Sequence, residues 1–484
     1  MVQKPEFVHS FFGVLFLDLA SGRTLYALNP DKFFVPGSTT KLTATGAALA
    51  LLGPDHRFHT RVYRTGEVAS DGTLEGDLVL VASGDPNLSA RVRDDDTLAF
   101  ENEDHSYGGT AVPGDPLLVL RKLAASVAAQ GIRRVSGRVL VDATLFPQGE
   151  REGGTGMVLS PIVVNDNVVD VQVSPGPAPG APATLRVSPD TAYVRFVNQI
   201  VTRAADARGA DPAVGSDTTA ADGSHQVTLT GSVGVGANPS LLAYGAPEPD
   251  RFAALLFSDA LRDQGVRALP GPRDQPADFK ALSALYTPER QVAEHVSPPL
   301  AQAVKVILKV SQNLHASQMP YILGLGAAAP REAGFDRMRE LFTSARLDLR
   351  GAAQGDGAGA TAHFTPRFMV SYLAWAARQP FAKALFDALP VLGRDGTLHN
   401  IQVDAPAAGH VHAKTGTYGE DDPLNRAQFV NGKGLAGYVD TRDGRRLAFC
   451  AYLNHVPVAK TPDAIREVAG QALGAIAAAA YDAR

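Results

Sequence analysis

The sequence predicts an α/β protein of the α+β type: an antiparallel sheet covered by helices on both faces, split by a large insertion that forms one or two smaller, mainly β domains. Three observations predict it. Strand-like hairpins lie near both chain ends, helical patterns follow each of them, and the interval between them shifts to short strands and turns. A chain of 484 residues also exceeds what one core usually holds. The expected division gives 1–60 and 286–484 to the sheet-and-helix domain, 61–157 and 243–285 to one inserted domain, and 158–242 to another set within it.

Phe12 to Leu19 and Thr24 to Leu28 are apolar runs separated by Ala20-Ser21-Gly22-Arg23, the pattern of a β-hairpin. An Ala- and Leu-rich helix follows from about Ser38 and is stopped by Gly53-Pro54. From Phe58 the period changes: Thr60-Arg61-Val62-Tyr63, the turn at Ser70-Asp71-Gly72, and Gly76 to Val81 read as strands. Asp115-Pro116 opens a helix that runs to Gln130-Gly131, with a strand at Gly137 to Asp142. A similar unit begins at Pro249-Asp250 and ends at Gln264-Gly265.

Between these units, Asn165 to Val173 and Ala183 to Val187 are strand-like, and Val227 to Gly231 reads as the last strand before the second helix. Ser297-Pro298-Pro299 caps a helix whose far end carries Ser311 and Asn313. Helices over Ala333 to Ser344 and Thr365 to Ala377 precede a strand at His410 to Thr417. The hairpin Gly434 to Asp440 and Arg446 to Asn454 comes next, and Pro462 to Ala480 closes the chain as a helix.

Composition excludes several classes of function. Apolar residues make up 45% and charged residues 20%, as in globular proteins, and the net charge of −5 comes without the long basic run that nucleic acid would require. No stretch is apolar for long enough to span a bilayer. Met1 to Glu6 lacks the regions of a signal peptide, so the expectation is either a cytoplasmic protein or a chain that begins at a mature end. The single cysteine, Cys450, lies in an apolar run and reads as a buried small hydrophobe. No signal sets an oligomeric state.

Chemistry concentrates in three short motifs. In Pro36-Gly37-Ser38-Thr39-Thr40-Lys41-Leu42, a Ser and a Lys three apart share one helix face, so the amine can take the proton of the hydroxyl. Ser311-Gln312-Asn313 and Lys414-Thr415-Gly416 follow. Taken singly, each has a plainer explanation: a capping serine before a solvated lysine, a polar residue late in a helix, a lysine guarding an edge strand. Three motifs in a set order weigh against all of these together.

That order resembles the penicillin-binding proteins and serine β-lactamases, which carry Ser-x-x-Lys, Ser-x-Asn and Lys-Thr-Gly. The whole chain resembles one group, the low-molecular-mass class C penicillin-binding proteins of the D-alanyl-D-alanine carboxypeptidase/endopeptidase type. In that group a β-lactamase/transpeptidase-like domain is split by a large insertion, and here more than half the chain separates Lys41 from Ser311. Phe34-Val35-Pro36-Gly37, Leu51-Leu52-Gly53-Pro54, Gly84-Asp85-Pro86-Asn87-Leu88 and Asp395-Gly396-Thr397-Leu398 are similar to the group as well.

The resemblance implies a serine D,D-peptidase acting on peptidoglycan stem peptides, acylated by β-lactam antibiotics and placed in the cell envelope, periplasm or medium. It implies Ser38 as nucleophile, Lys41 as base and Ser311 as proton relay. Asn313, Lys414, Thr415, Gly416 and Thr417 would bind substrate, with the N–H groups of Ser38 and Thr417 as oxyanion hole. Three departures stand out: Asp356-Gly357-Ala358-Gly359-Ala360 in place of Asp-Gly-Ser-Gly-Leu, Ser317 where an acidic residue is common, and a lengthened segment from Tyr418 to Lys433 that is expected to reshape the cleft rim.

No cofactor and no metal are expected. His410 and His412 share a strand face without a third ligand, and Asp94-Asp95-Asp96 with Glu101, Glu103 and Asp104 reads as a solvated loop before it reads as a cation site. Two other functions fit the sequence: a β-lactamase or esterase on the same scaffold, and a catalytically silent wall-binding protein.

Overall fold

Alternation of apolar side chains builds the central sheet. In the strand Phe11–Asp18, Phe12, Val14 and Phe16 enter one core while Leu15 enters another; in Arg446–Asn454, Leu447, Phe449, Ala451 and Leu453 oppose Ala448, Cys450 and Tyr452 in the same way. The computed structural model describes residues 3–207, 209–273, 275–461 and 463–483. Its main sheet runs, all antiparallel, in the order Val411–Asp422, Ala427–Asp440, Arg446–Asn454, Phe11–Asp18, Thr24–Leu28. The helices Lys41–Leu52, Leu300–Lys309, Asn313–Leu323 and Pro366–Ala376 cover one face, and Gln471–Ala479 covers the other.

The insertion contributes a four-stranded sheet, ordered Gln291–Val296, His59–Arg64, Leu78–Val81, Val139–Asp142, with the helices Leu118–Ala129 and Pro249–Asp263 packed together beside it. The strand Gln291–Val296 pairs with His59–Arg64, so the outgoing and returning chain run side by side, beyond the 285/286 boundary read from the sequence. Farther out, Val168–Ser174 lies between Ser240–Gly245 and Thr184–Ser188.

The structure corrects four readings of the sequence. Val227 to Gly231 is not the last strand before the second helix, because Ser232–Gly234 and Ser240–Gly245 intervene. An unforeseen strand, Ala213–Thr219, is exposed along its whole length and therefore carries no apolar alternation to read. The helix after Ser297 ends at Lys309, so Ser311 lies beyond it in a left-handed turn (φ 65°), and Asn313 opens the next helix. Tyr418 to Lys433 is no loop: the two strands of the hairpin continue through it, paired from Val411↔Val439 to Asp422↔Ala427, with Val456–Ala459 added along Ala427 to Val430. Pro462, the expected start of the last helix, lies outside the described residues.

Candidate active site

Two close backbone approaches bring the motifs together. Gly37 has φ 51°, and a side chain there would strike the Thr417 N–H; a side chain on Gly416 would strike the Pro36 carbonyl and lie 3.0 Å from the Ser38 nitrogen. The turn Gly37–Thr40 is thus pressed onto the Lys-Thr-Gly strand, which brings the backbones of Ser38 and Thr417 near one another.

Lys41 begins the following helix and is fully buried. Its Nζ donates to Ser38 Oγ at 2.6 Å and to Asn313 Oδ1 at 2.6 Å, with Ser311 Oγ at 3.3 Å and the Ala358 carbonyl at 3.4 Å. Burial pushes its pKa down to about 7, although the carboxylates of Glu152, Asp356 and Asp104 partly oppose the shift. Lys414, also buried, donates to Ser311 Oγ at 2.9 Å and to the Thr415 carbonyl at 2.8 Å. Burial holds its pKa well below the ordinary lysine range, and the nearby charges of Lys41 and Lys433 act in the same direction. One hydroxyl, Ser311 Oγ, therefore lies between the two lysine nitrogens.

All eight residues singled out from the sequence meet here. Ser38, Ser311, Asn313, Thr415 and Thr417 line an open cleft of about 680 Å³, Lys41 and Lys414 lie beneath it, and Gly416 permits the close approach. Thr415 Oγ1 bonds Thr397 Oγ1 at 2.8 Å, which brings the Asp395-Gly396-Thr397-Leu398 segment to the cleft wall.

The Ala358 departure has little consequence for these contacts, because what residue 358 offers Lys41 is its carbonyl. The loop is held by Asp356, which accepts from the N–H of Ala358 at 2.7 Å and of Thr361 at 2.6 Å.

Three contributions were hidden from the sequence. Lys433 donates to Thr417 Oγ1 at 2.6 Å across the hairpin, a pairing that period-two counting would have exposed had the hairpin been extended. Tyr107, from the insertion, donates to the Ser311 carbonyl at 2.9 Å. Gln312, the middle residue of the second motif, caps the helix Asn313–Leu323 by accepting from Leu314 N–H at 2.7 Å, and its amide donates to Asp104 Oδ1 and Ser106 Oγ, both at 3.3 Å.

Gln312 thereby joins a buried ionic cluster. Asp166 pairs with Arg91 at 2.8 Å, His105 at 2.7 Å and His315 at 2.8 Å; Arg91 also holds Asp104 at 2.7 Å, and His105 holds Asp170 at 2.9 Å. Asp104, His105 and Asp166 lie close enough together for a metal, but the Arg91 guanidinium already contacts both carboxylates and His105 also bonds Asp166, so the chemistry of the set is that of an ion-pair network. The rest of the acidic run disperses, Asp94 to Lys122 and Asp96 to Arg57. His412 stacks on Phe386 and His410 on Tyr481.

Known proteins resemble the chain in sequence and in fold. The D-alanyl-D-alanine carboxypeptidase of Actinomadura sp. is 29% identical over 446 residues, covering 86% of this chain and 75% of that protein. The D-alanyl-D-alanine carboxypeptidase DacB of Haemophilus influenzae is 22% identical over 450 residues, covering 88% and 81%. The crystal structure of penicillin binding protein 4 (dacB) from Haemophilus influenzae superposes with a TM-score of 0.71 at 20% identity, covering 98% of this chain and 97% of that one, a likeness of fold. The same protein complexed with a novel β-lactam gives 0.69 at 18% identity. Residues 1–472 match the D-Ala-D-Ala carboxypeptidase 3 (S13) family, to which the chain belongs as a serine-type D,D-carboxypeptidase.

Proposed function

We propose that Ser38 is the nucleophile of this D,D-peptidase and that the substrates are the D-Ala-D-Ala ends of peptidoglycan stem peptides. The contact of Lys41 Nζ with Ser38 Oγ at 2.6 Å carries this reading. A lysine with a pKa of about 7 is substantially neutral at working pH, and as a free amine it takes the proton of Ser38 as the hydroxyl attacks the penultimate D-alanine carbonyl. The resulting oxyanion lies between the N–H groups of Ser38 and Thr417, each such donor being worth about 2–4 kcal/mol of barrier. Ser311, touching both lysines, passes a proton to the departing amine; water then hydrolyses the acyl-enzyme.

Asn313 holds Lys41 in line and receives the substrate amide, Lys414 holds Ser311 from its other side, and Thr415, Gly416 and Thr417 form the strand edge along which the substrate lies. β-Lactams, whose strained amide presents the same groups, acylate the same serine. Substrates of this kind place the protein outside the cytoplasmic membrane, and no helix among the described residues is long and apolar enough to cross one. We divide the chain as the sequence suggested, into a discontinuous catalytic domain and a two-part insertion, with the strand Gln291–Val296 counted with the insertion.

Fluorescent penicillin tests the assignment. A stable label on the wild type that is absent from Ser38→Ala supports it. A label lost within seconds would mark a β-lactamase, and no label at all would mark a silent wall-binding protein.

A further inference from the structure

The second motif owes its chemistry to an unusual backbone. Ser311 stands between the end of one helix at Lys309 and the start of the next at Asn313, in the left-handed region at φ 65°. A residue with a side chain rarely adopts that conformation and keeps it only where its surroundings hold it. The place of the Ser311 hydroxyl depends on it, because Oγ must lie 2.9 Å from Lys414 Nζ and 3.3 Å from Lys41 Nζ at once. The grip on this turn comes from the insertion.

Tyr107 Oη donates to the Ser311 carbonyl at 2.9 Å, and the Gln312 amide donates to Asp104 Oδ1 and Ser106 Oγ, both at 3.3 Å. A single short segment thus holds the Ser311–Gln312 peptide at its oxygen and through the side chain that follows. The segment is itself rigid: Asp104 caps the turn His105–Tyr107 by accepting from the Ser106 N–H at 2.9 Å, Gly108 closes it at φ 77°, and Asp104 and His105 are buried in the ionic cluster. A carbonyl can only accept, so the phenol supplies the proton of the Tyr107 contact. Turning the peptide over would take the carbonyl away from Tyr107, change ψ of Ser311 and loosen a side chain that must reach two lysines. Removal of the phenol oxygen alone deletes this tie and keeps the ring that lines the cleft.

Resting on the readings of Ser38 as nucleophile and Ser311 as proton relay, we propose that Tyr107 is a positioning residue: its hydroxyl holds the left-handed turn of the second motif, so that Ser311 Oγ is aimed at the departing nitrogen. It acts through Ser311 and not on the reacting atoms. In the step concerned, the bond from Ser38 Oγ to the carbonyl carbon forms and the carbon–nitrogen bond breaks. The nitrogen takes the proton of Ser311 Oγ, which is replaced by the proton that Lys41 received from Ser38. Only a leaving group that needs a proton should therefore feel the loss of the Tyr107 hydroxyl.

The test compares two acylating agents of the full chain: benzylpenicillin, whose nitrogen must be protonated, and the thioglycolate thioester of benzoyl-D-alanine, whose thiolate departs without a proton because thiols ionise near about pH 8.5. Acylation of the wild type, Tyr107→Phe, Ser311→Ala and the double variant is followed in single turnover and resolved into a dissociation constant and a limiting rate. Tyr107→Phe is expected to lower the limiting rate with penicillin about 3- to 10-fold, the effect of one net hydrogen bond, with the dissociation constant unmoved and the thioester rate changed less than about twofold. In the Ser311→Ala background the same substitution should slow penicillin less than about twofold. Equal slowing with both reagents, or an undiminished loss in the Ser311→Ala background, would show that Tyr107 acts on the substrate or on the fold. An unchanged penicillin rate would show that the turn needs no such tie; each of these results overturns the proposal. Melting temperatures report the folding of each variant. If the wild type itself is not acylated on Ser38, the nucleophile assignment falls and takes this inference with it; acylation on Ser38 without the expected selectivity removes the Tyr107 proposal alone.

Discussion

In the proposed mechanism Lys41 serves as a base because its ammonium has been withdrawn from water. The group that must give up a proton is held within hydrogen-bonding distance of four oxygens, yet none of the four belongs to a carboxylate; charged Glu152, Asp356 and Asp104 act only from a distance. A measurable consequence follows from the sign of the shift. Below about pH 7 the amine is protonated and cannot accept from Ser38, so the acylation rate should fall about tenfold per pH unit there and level off above it. A profile that is flat from pH 5 to 8 would remove Lys41 as base. At this scale the sequence was generous, because Ser38, Lys41, Ser311 and Lys414 carry motif spacing. It was silent on Lys433 and Tyr107, which act through strand register and through a fold contact that no local pattern encodes.

The motif Ser311-Gln312-Asn313 takes its shape from its neighbours. Ser311 is left-handed without being glycine, and so are three successive residues, Asn165, Asp166 and Asn167, at φ 48°, 55° and 55°. The Asp166 turn delivers a carboxylate to Arg91, His105 and His315, the last of these on the helix that Asn313 opens. Burial would raise the Asp166 pKa, but Arg91, His315 and His105 hold it well below the usual 3.8. Burial would likewise depress His105, but its bonds to Asp166 and Asp170 raise it to about 10 from 6.5.

The two signs define a window. The stabilisation from Asp166 is complete above about pH 4 and is lost as pH falls through its lowered native value; that from His105 is complete below about pH 6.5 and is lost as pH rises through about 10. Thermal unfolding of the wild type should therefore be most resistant between those limits. Asp166→Asn should cost about 3–5 kcal/mol by removing the carboxylate that Arg91, His105 and His315 share, and should flatten the acid side of the profile. An Asn variant that melts with the wild type at pH 5.5 would contradict the brace. The sequence showed most strands through alternation and most helices through their caps, but a left-handed serine looks like any other serine. The end of the Leu300–Lys309 helix was misplaced for that reason.

Across the whole molecule the insertion divides into a part that touches the catalytic machinery and a part that does not. Asp104, Tyr107, Glu152 and Asp166 reach the second motif or Lys41, whereas the strands between Thr184 and Gly234 lie beyond the antiparallel pair Val168–Ser174 and Ser240–Gly245. Because Val173 faces Ser240, residues 174–239 can be replaced by a two-residue Asn-Gly turn. The shortened enzyme is expected to be acylated by penicillin within about threefold of the wild-type rate, with a lower melting temperature, since Tyr193 and His225 no longer pack near Phe252. Loss of labelling in a folded product would give the outer strands a catalytic part. The long separation of the first two motifs pointed to this architecture, while the polar, exposed strand Ala213–Thr219 left no trace in the sequence.

The strand Phe11–Asp18 sits between Thr24–Leu28 and Arg446–Asn454. Synthesis runs from Ser38 through Lys414 to Arg446–Asn454, so a polypeptide still on the ribosome holds the proposed nucleophile before it holds Lys414 or a finished sheet. On that reading bond cleavage waits for the sheet to close, and a polypeptide terminated ahead of Lys414 is expected to be inert.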